Sequence, residues 1–116
     1  MKENKLLKLS QDFAVSIIKV ADSVKIAGQK NIADQLLRSG TSISANIAEG
    51  NHPQSRSDMV SKFEIALKEA NETENWLTVC NRANLLDNEI FDSLHKQVIQ
   101  IKILLISSIK TLKKSN

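Results

Sequence analysis

The chain has 116 residues, of which 41% are hydrophobic and 25% charged, with a formal net charge of +3. This length fits one domain, predicted to span 1–116, and the single cysteine excludes an internal disulfide and a cysteine-rich metal site. Three glycines and one proline indicate few turns, which favours long helices over a many-stranded sheet.

The first half of the chain predicts two helices. Apolar residues recur at steps of three and four through the first segment, which predicts a helix at about 4–27 that ends at Gly28 in a left-handed conformation. A second helix is expected at about 31–49, with Asn31 as its N-cap, Asp34 in its first turn and Gly50 at its end. Its apolar stripe consists of Ile32, Leu36, Ile43 and Ile47.

The second half predicts two more helices. Ser55 and Asp58 form a start signal related to a capping box, and the third helix should reach about residue 84. Its core positions alternate steps of four and three: Met59, Phe63, Ala66, Ala70, Thr73, Leu77 and Cys80. Asp87 is the predicted cap of the fourth helix. The segment "IQIKI" alternates like a strand, but it has no turn-linked partner strand and the helical pattern continues on both sides, so a helix is favoured.

The short connections between these helices predict the topology. Loops near 28–30, 50–54 and 84–87 leave no room for a crossover, so the expected fold is all-α, an antiparallel up-down-up-down four-helix bundle. The fourth helix carries more apolar residues than one bundle core needs. Beside its core stripe of Ile90, Leu94, Val98, Ile101, Leu105 and Leu112 lie Phe91, Ile99, Ile103, Ile106 and Ile109. This excess predicts an exposed patch that a partner, such as the next copy in a closed ring, would cover.

A polar stripe lies beside the apolar stripe of the second helix, in the segment "RSGTSISANIAEG". It consists of Arg38, Ser42, Asn46 and Glu49. Three interpretations are open: plain surface, a half-buried seam between helices or subunits, or a ligand or catalytic site. We favour the seam because serine and asparagine are weak helix formers that rarely fill an exposed face. Folding about residue 53 should bring Arg38 level with Glu69 and Glu72, so we expect an ion pair with one of them, worth several kcal/mol if buried.

The residues that could act in catalysis or bind a metal lack the spacing of a catalytic or metal site. His52 and His95 are far apart in sequence, and Cys80 occupies a core position as a packed thiol. The acidic residues of the third helix lack the Glu-x-x-His pairs of di-iron bundles, and no glycine-rich phosphate loop is present. The sequence therefore predicts no enzyme activity, cofactor, metal or small-molecule substrate.

Basic residues gather at one end of the predicted bundle. They are Lys2, Lys5, Lys8, Arg56, Lys110, Lys113 and Lys114. Lysines at a helix C-terminus complement its dipole, and the same charges repeated around an oligomer would suit salt-sensitive contacts with a nucleic-acid backbone. The N-terminus lacks the apolar run of a signal peptide, and Gln100 and Lys102 interrupt the longest apolar stretch. A cytoplasmic protein without a membrane contact is expected.

Two segments carry a resemblance to a known family. "RSGTSISANIAEG", followed by "KFEIALKEANETENWL", resembles the bacterial four-helix-bundle proteins first noticed as open reading frames in intervening sequences of 23S rRNA genes. The resemblance runs from about Phe13 to Lys114. The residues that carry it are Arg38, Ser42, Ile43, Asn46, Ile47, Glu49, Ile65, Ala66, Leu67, Glu72 and Leu77. This chain departs from the pattern at Asn75, where relatives often have an aromatic residue.

This resemblance implies an antiparallel bundle that assembles with itself, commonly as a homopentamer. A related branch contains the accessory proteins of diversity-generating retroelements, which bind a reverse transcriptase and nucleic acid. This chain is less basic than that branch. The sequence therefore predicts a non-enzymatic, self-assembling scaffold or interaction protein. The alternative is an RNA-binding accessory factor that acts through the basic end or with a nucleic-acid-processing protein.

Overall fold

The protein's structure, a computed structural model, describes the backbone of residues 2–114 and the side chains of residues 5–114. Within that range the chain forms four helices: α1 (Lys2–Ile26), α2 (Lys30–Gly50), α3 (Arg56–Arg82) and α4 (Asn88–Lys114). Each helix packs against the next, and α1 closes against α4. This order confirms the predicted all-α, antiparallel up-down-up-down bundle, which measures 49 × 22 × 19 Å.

The turn between α1 and α2 corrects one predicted helix start. Gly28 has a φ of 95°, which confirms the left-handed end of α1. The prediction of Asn31 as N-cap was wrong, because α2 begins at Lys30 and Gln29 takes the cap position without a side-chain hydrogen bond. The left-handed turn at Gly28 leaves only Ala27, Gly28 and Gln29 between the two helices. Asp34 therefore lies beyond the first turn, where it pairs with Lys30 at 2.9 Å.

Side-chain caps begin α3 and α4, as predicted. Ser55 Oγ accepts a hydrogen bond from the backbone N–H of Asp58 at 3.0 Å. The carboxylate of Asp58 accepts one in turn from the backbone N–H of Gln54 at 3.2 Å. Asp87 Oδ1 accepts from the backbone N–H of Ile90 at 2.8 Å. The bonds to Asp58 and Ile90 satisfy amide groups that a helix leaves free at its first turn, and the bond to Gln54 holds the residue before the cap, so both starts are fixed locally.

The C-terminus of α3 lies slightly before the predicted position. The helix ends at Arg82 rather than near residue 84. Asn84 has a φ of 61°, a left-handed conformation that stops the helix, and the N–H of Leu85 returns to the carbonyl oxygen of Cys80 at 2.9 Å. The sequence offered no glycine at this position, so the end could be predicted only approximately.

Apolar side chains from all four helices form one continuous core. The predicted α3 stripe from Phe63 to Cys80 is fully buried, and Met59 is half-buried. Ile90, predicted as a core residue, is 44% exposed because it lies in the first turn of α4, at the end of the bundle. The thiol of Cys80 has no accessible surface, and burial raises its pKa.

Two glycines allow close approach of neighbouring helices. A Cβ atom built on Gly40 would lie 2.6 Å from Ile17 Cγ2 on α1. A Cβ atom built on Gly50 would lie 2.6 Å from Phe63 Cε1 on α3. Both distances are far shorter than a normal carbon–carbon contact, so the packing of α2 against α1 and α3 depends on these missing side chains.

A buried hydrogen bond fixes the register of α2 against α3. The hydroxyl oxygens of Ser39 and Thr73 lie 2.9 Å apart in the core, and both residues are fully buried. Thr73 also donates to the carbonyl oxygen of Glu69 at 2.8 Å. Because Arg38 precedes Ser39 and Glu72 precedes Thr73, this register brings Arg38 to the height of Glu69 and Glu72.

Candidate interaction surfaces

Arg38 connects α2 to α3 through two carboxylates. Its Nη1 lies 3.2 Å from Glu69 Oε1, and its Nη2 bonds Glu72 Oε2. Its Nε donates to Gln35 Oε1 at 3.2 Å. The side chain of Arg38 is 45% exposed, against 18% for Glu69 and 34% for Glu72. The pairing is therefore open to solvent on one side, so the several kcal/mol expected for a buried pair do not apply.

The rest of the polar stripe is hydrogen-bonded within the chain. Ser42 Oγ donates to the carbonyl oxygen of Arg38 at 2.6 Å, and Asn46 Nδ2 donates to that of Ser42 at 2.8 Å. Glu49 pairs with Lys62 of α3 at 2.9 Å, and this contact raises the pKa of Lys62. The stripe therefore runs along the α2–α3 edge, with Ser42 and Asn46 half-buried. Its contact with another subunit stays a prediction.

The outer surface along this edge combines carboxylates with apolar side chains. We call it the seam face and define it by Arg38, Ser42, Ala45, Asn46, Glu49, Lys62, Ile65, Glu69 and Glu72. Ala45 is exposed and Ile65 is 39% exposed. Trp76 lies one turn after Glu72 on α3 and donates its Nε1–H to Oε2 of that carboxylate at 3.2 Å. Three carboxylates against two cations leave the seam face slightly acidic.

Replacing Arg38 with alanine tests how much the seam pairing contributes. Two half-exposed pairs to one guanidinium predict a loss of roughly 1 kcal/mol in the free energy of unfolding, because solvent screens the charges and the two glutamates are left adjacent. Urea unfolding followed by circular dichroism measures this loss. Lys30→Ala, which breaks the more exposed pair with Asp34, is the control and should cost less. A loss of several kcal/mol would contradict the exposed geometry.

A second charged cluster joins α3 to α4 and was missed in the sequence. Glu74 accepts from Lys102 Nζ at 2.7 Å and lies 3.0 Å from His95 Nε2. The ring of His95 stacks on Phe91 with centroids 5.3 Å apart. The signal was the spacing of His95 and Lys102, two turns apart on one side of α4. This cluster lowers the pKa of Glu74, chiefly through the hydrogen bond from Lys102 and then through His95, against the raising effect of burial.

The lowered pKa of Glu74 predicts an acid-sensitive contribution to stability. A carboxyl group whose pKa is lower in the folded state stabilises the fold above its unfolded pKa, near 4.5, and loses this contribution as the pH falls through the folded value. Glu74→Gln should therefore be less stable than the parent at neutral pH, and the difference should shrink below about pH 4. Urea unfolding at several pH values measures it. A difference independent of pH would contradict the assignment.

The apolar excess of α4 is smaller than the sequence predicted. Ile109 is only 8% exposed because it packs into its own bundle's core, and Phe91 is half-buried beside His95. The remaining residues form an outward-facing patch, the α4 strip, defined by Ile99, Ile103 and Ile106. Ile103 is 61% exposed and Ile106 is 41% exposed. An apolar strip thus remains on the outside of a bundle whose core is already filled.

Positive charge surrounds the α4 strip. Residues 93–114 include no aspartate or glutamate. Lys96 and Lys110 are exposed, one at either end of the strip, and neither forms an ion pair with another side chain that the structure describes. The strip is therefore both apolar and basic, which distinguishes it from the seam face.

The predicted basic end is only partly neutralised. Lys8 pairs with Asp12 at 3.1 Å and Lys113 with Glu64 at 2.9 Å. The side chain of Lys2 lies outside the described residues. Four other members of this end are exposed and make no ion pair within residues 5–114: Lys5, Arg56, Lys110 and Lys114.

Two further observations concern the described residues only. Histidine, cysteine, aspartate and glutamate side chains there form no group of three or more that could hold a metal ion. No helix between residues 2 and 114 combines the length and apolar character needed to cross a membrane.

Known proteins resemble this chain over nearly its whole length. The sequence model of the 23S rRNA-intervening sequence proteins matches residues 2–107. A solved structure of a protein with unknown function from the S23 ribosomal protein family of Bacteroides thetaiotaomicron is 44% identical, with a TM-score of 0.89. The similarity covers 95% of this chain and 99% of that one. No curated protein matches.

Proposed function

The chain belongs to the 23S rRNA-intervening sequence protein family, and on this premise we propose that it is a non-enzymatic scaffold that assembles with itself, as a homopentamer. The observation that carries the proposal is the α4 strip. A bundle that has filled its own core still leaves Ile103 and Ile106 exposed on one helix. Contiguous apolar surface of this kind marks a protein contact.

The charged residues of the bundle also favour a structural role. Arg38 is paired with Glu69 and Glu72, and Glu74 is paired with Lys102. A catalytic acid or base needs a free group whose pKa lies near neutrality, whereas the pKa of Glu74 is lowered by its partners. Burial raises the pKa of the Cys80 thiol and disfavours the nucleophilic thiolate.

Light scattering coupled to size-exclusion chromatography tests the self-assembly. The proposal predicts a mass about five times the 12.9 kDa of one chain, held over a wide range of protein concentration. A mass equal to that of one chain at all concentrations would contradict the scaffold.

A second candidate function is contact with an RNA backbone, alone or with a nucleic-acid-processing protein. The observation that favours it is the basic end, where Lys5, Arg56, Lys110 and Lys114 are exposed without a described ion pair. For binding to phosphates, the logarithm of the binding constant would fall linearly with the logarithm of the salt concentration, because each neutralised phosphate releases counterions. Either function belongs in the cytoplasm, which cell fractionation would test.

A titration of a labelled, structured RNA at several salt concentrations tests this second function. Lys110→Gln combined with Lys114→Gln should weaken binding and reduce the salt dependence. Lys19→Gln combined with Lys25→Gln, which removes two exposed lysines nearer the opposite end of α1, is the matched control. Binding that is absent, or unaffected by the first pair of substitutions, would exclude the basic end.

A further inference from the structure

We propose that copies of this chain join head to tail, with the α4 strip of one copy packed against the seam face of the next. This inference rests on the proposed self-assembly and names the two surfaces that form it. Such an interface joins two different patches of the same protein and is heterologous. Repeated around an axis with a rotation that divides a full turn, it closes into a ring.

The α4 strip lies at the same height along the bundle as the Arg38 end of the seam face, as a ring requires. Glu72 and Glu74 are close neighbours on α3 and point to opposite sides. Glu72 bonds Arg38 on α2, and Glu74 bonds Lys102 on α4, at 2.7 Å. Arg38 and Lys102 are therefore level, and Ile103 follows Lys102. Rotation about an axis parallel to the bundle preserves height, so it can bring the strip of one copy onto the seam face of its neighbour.

The charges of the two surfaces are complementary. The strip lies within a segment that has no acidic residue and is flanked by the exposed Lys96 and Lys110. On the seam face, Glu49, Glu69 and Glu72 outnumber its cations. Glu49 is 59% exposed, so its carboxylate is accessible to a neighbour's lysine. Complementary charge of this kind selects the partner surface and its orientation.

The same charges disfavour pairing of the strip with itself. A two-fold pairing centred on Ile103 would set Lys96 of each copy against Lys110 of the other, because both are seven residues from the centre. No carboxylate lies in this segment to neutralise them. Opposed like charges weaken such an interface, which leaves the heterologous contact as the favoured arrangement.

The seam face also offers apolar surface and room for close approach. Ile65 is 39% exposed and Ala45 is exposed, both beside the polar stripe. Between Arg38 and Ala45 the polar side chains of α2 are short, so Ile106 of a neighbour could reach the helix surface there. This explains why the stripe uses small polar residues where long charged ones are usual: their hydrogen bonds are satisfied within α2, and their size leaves space for a partner.

Two interface variants test the pairing. The strip variant carries Ile103→Glu and Ile106→Glu, and the seam variant carries Ala45→Lys and Ile65→Lys. Each destroys one of the two surfaces at exposed positions and leaves the other intact. We expect each variant alone to have the mass of a single chain by light scattering, and to keep the helical circular dichroism of the parent.

A mixture of the two variants gives the decisive measurement. The intact strip of the seam variant can bind the intact seam face of the strip variant, and the resulting pair cannot extend. An equimolar mixture should therefore show about twice the 12.9 kDa mass of one chain. A mixture that stays monomeric would overturn the proposal. So would assembly of the seam variant alone, which is the result expected if strips paired with strips.

Controls separate this proposal from the proposed function. Val15→Glu with Ile18→Glu changes two residues on the outer face of α1 that are 53% and 52% exposed, and should leave the parent mass unchanged. Lys96→Glu with Lys110→Glu alters charge alone and should weaken assembly without affecting the fold. A parent protein that is monomeric would refute self-assembly itself. A parent that assembles while both interface variants also assemble would refute only the assignment of surfaces.

Discussion

Replacing Phe63 with alanine should lower the free energy of unfolding by about 3–5 kcal/mol, the largest effect we expect from one substitution in this bundle. Phe63 is one of the two largest fully buried side chains, and its ring fills the space above Gly50 on α2. Alanine removes the apolar contacts of the ring and leaves a cavity that the flanking helices cannot fill. Urea unfolding at one fixed protein concentration measures the loss, because assembly would add a concentration-dependent term.

A double-mutant cycle with Gly50 tests the geometry behind this prediction. Gly50→Ala alone should cost about 1–3 kcal/mol, since the new Cβ atom would lie 2.6 Å from Phe63 Cε1 and 2.8 Å from its Cδ1. In the Phe63→Ala background the ring is absent, so the same change should cost almost nothing. Equal costs in the two backgrounds would mean that the ring does not occupy the space above Gly50.

The second large effect is expected at Gly40, midway along α2. Gly40→Ala should lower the free energy of unfolding by about 1–3 kcal/mol, although alanine is the better helix former by about 1 kcal/mol. The added Cβ atom would lie 2.6, 3.0 and 3.1 Å from Cγ2, Cγ1 and Cβ of Ile17. These atoms sit at the base of a branched side chain, so they can retreat only if α1 itself moves away. Thermal and urea unfolding both measure the loss.

Two substitutions of Ile17 provide matched backgrounds for this test. Ile17→Val keeps both Cγ atoms and should leave the cost of Gly40→Ala unchanged. Ile17→Ala removes them and should abolish most of it, although the cavity destabilises this background by itself. If valine and alanine relieved the clash equally, the contact would not be with the Cγ atoms of Ile17.

Much of the fold was predictable because the spacing of apolar residues indicates the helices and their buried faces directly. The four-and-three spacing of α3 placed Phe63, Leu77 and Cys80 in the core, where the structure has them. Ser55 and Asp87 were recognisable as caps because short polar side chains just before an apolar repeat satisfy free amides. These features depend on residues close together in sequence, which is why one sequence suffices to find them.

Features that depend on tertiary context were harder to predict. Asn31 looked like a cap, but the left-handed turn at Gly28 had already placed the N-cap of α2 at Gln29, two residues earlier. The sequence assigned Ile109 to the exposed apolar excess of α4, but the neighbouring helices cover it and it lies in the core. The cluster of His95, Glu74 and Lys102 joins residues far apart in the chain, and the spacing of His95 and Lys102 on α4 does not identify Glu74 of α3 as their partner.

The candidate surfaces were predictable in part: their residues follow from local spacing, but their burial depends on tertiary context. Helical spacing alone aligned Arg38 with Ser42 and placed both beside the apolar stripe. The degree of burial could not be read from spacing, because it depends on how far α3 covers the edge of α2. Arg38 is half-exposed as a result, and the free-energy loss expected on its removal is correspondingly smaller than for a buried pair.

The position of Cys80 has a consequence for how the bundle can be studied. Its thiol is enclosed by the core, and burial disfavours the reactive thiolate. A disulfide reagent in solution can reach the sulfur only during openings that separate α3 from its neighbours. The rate at which the reagent consumes the protein therefore reports how often the native bundle opens, without any engineered label.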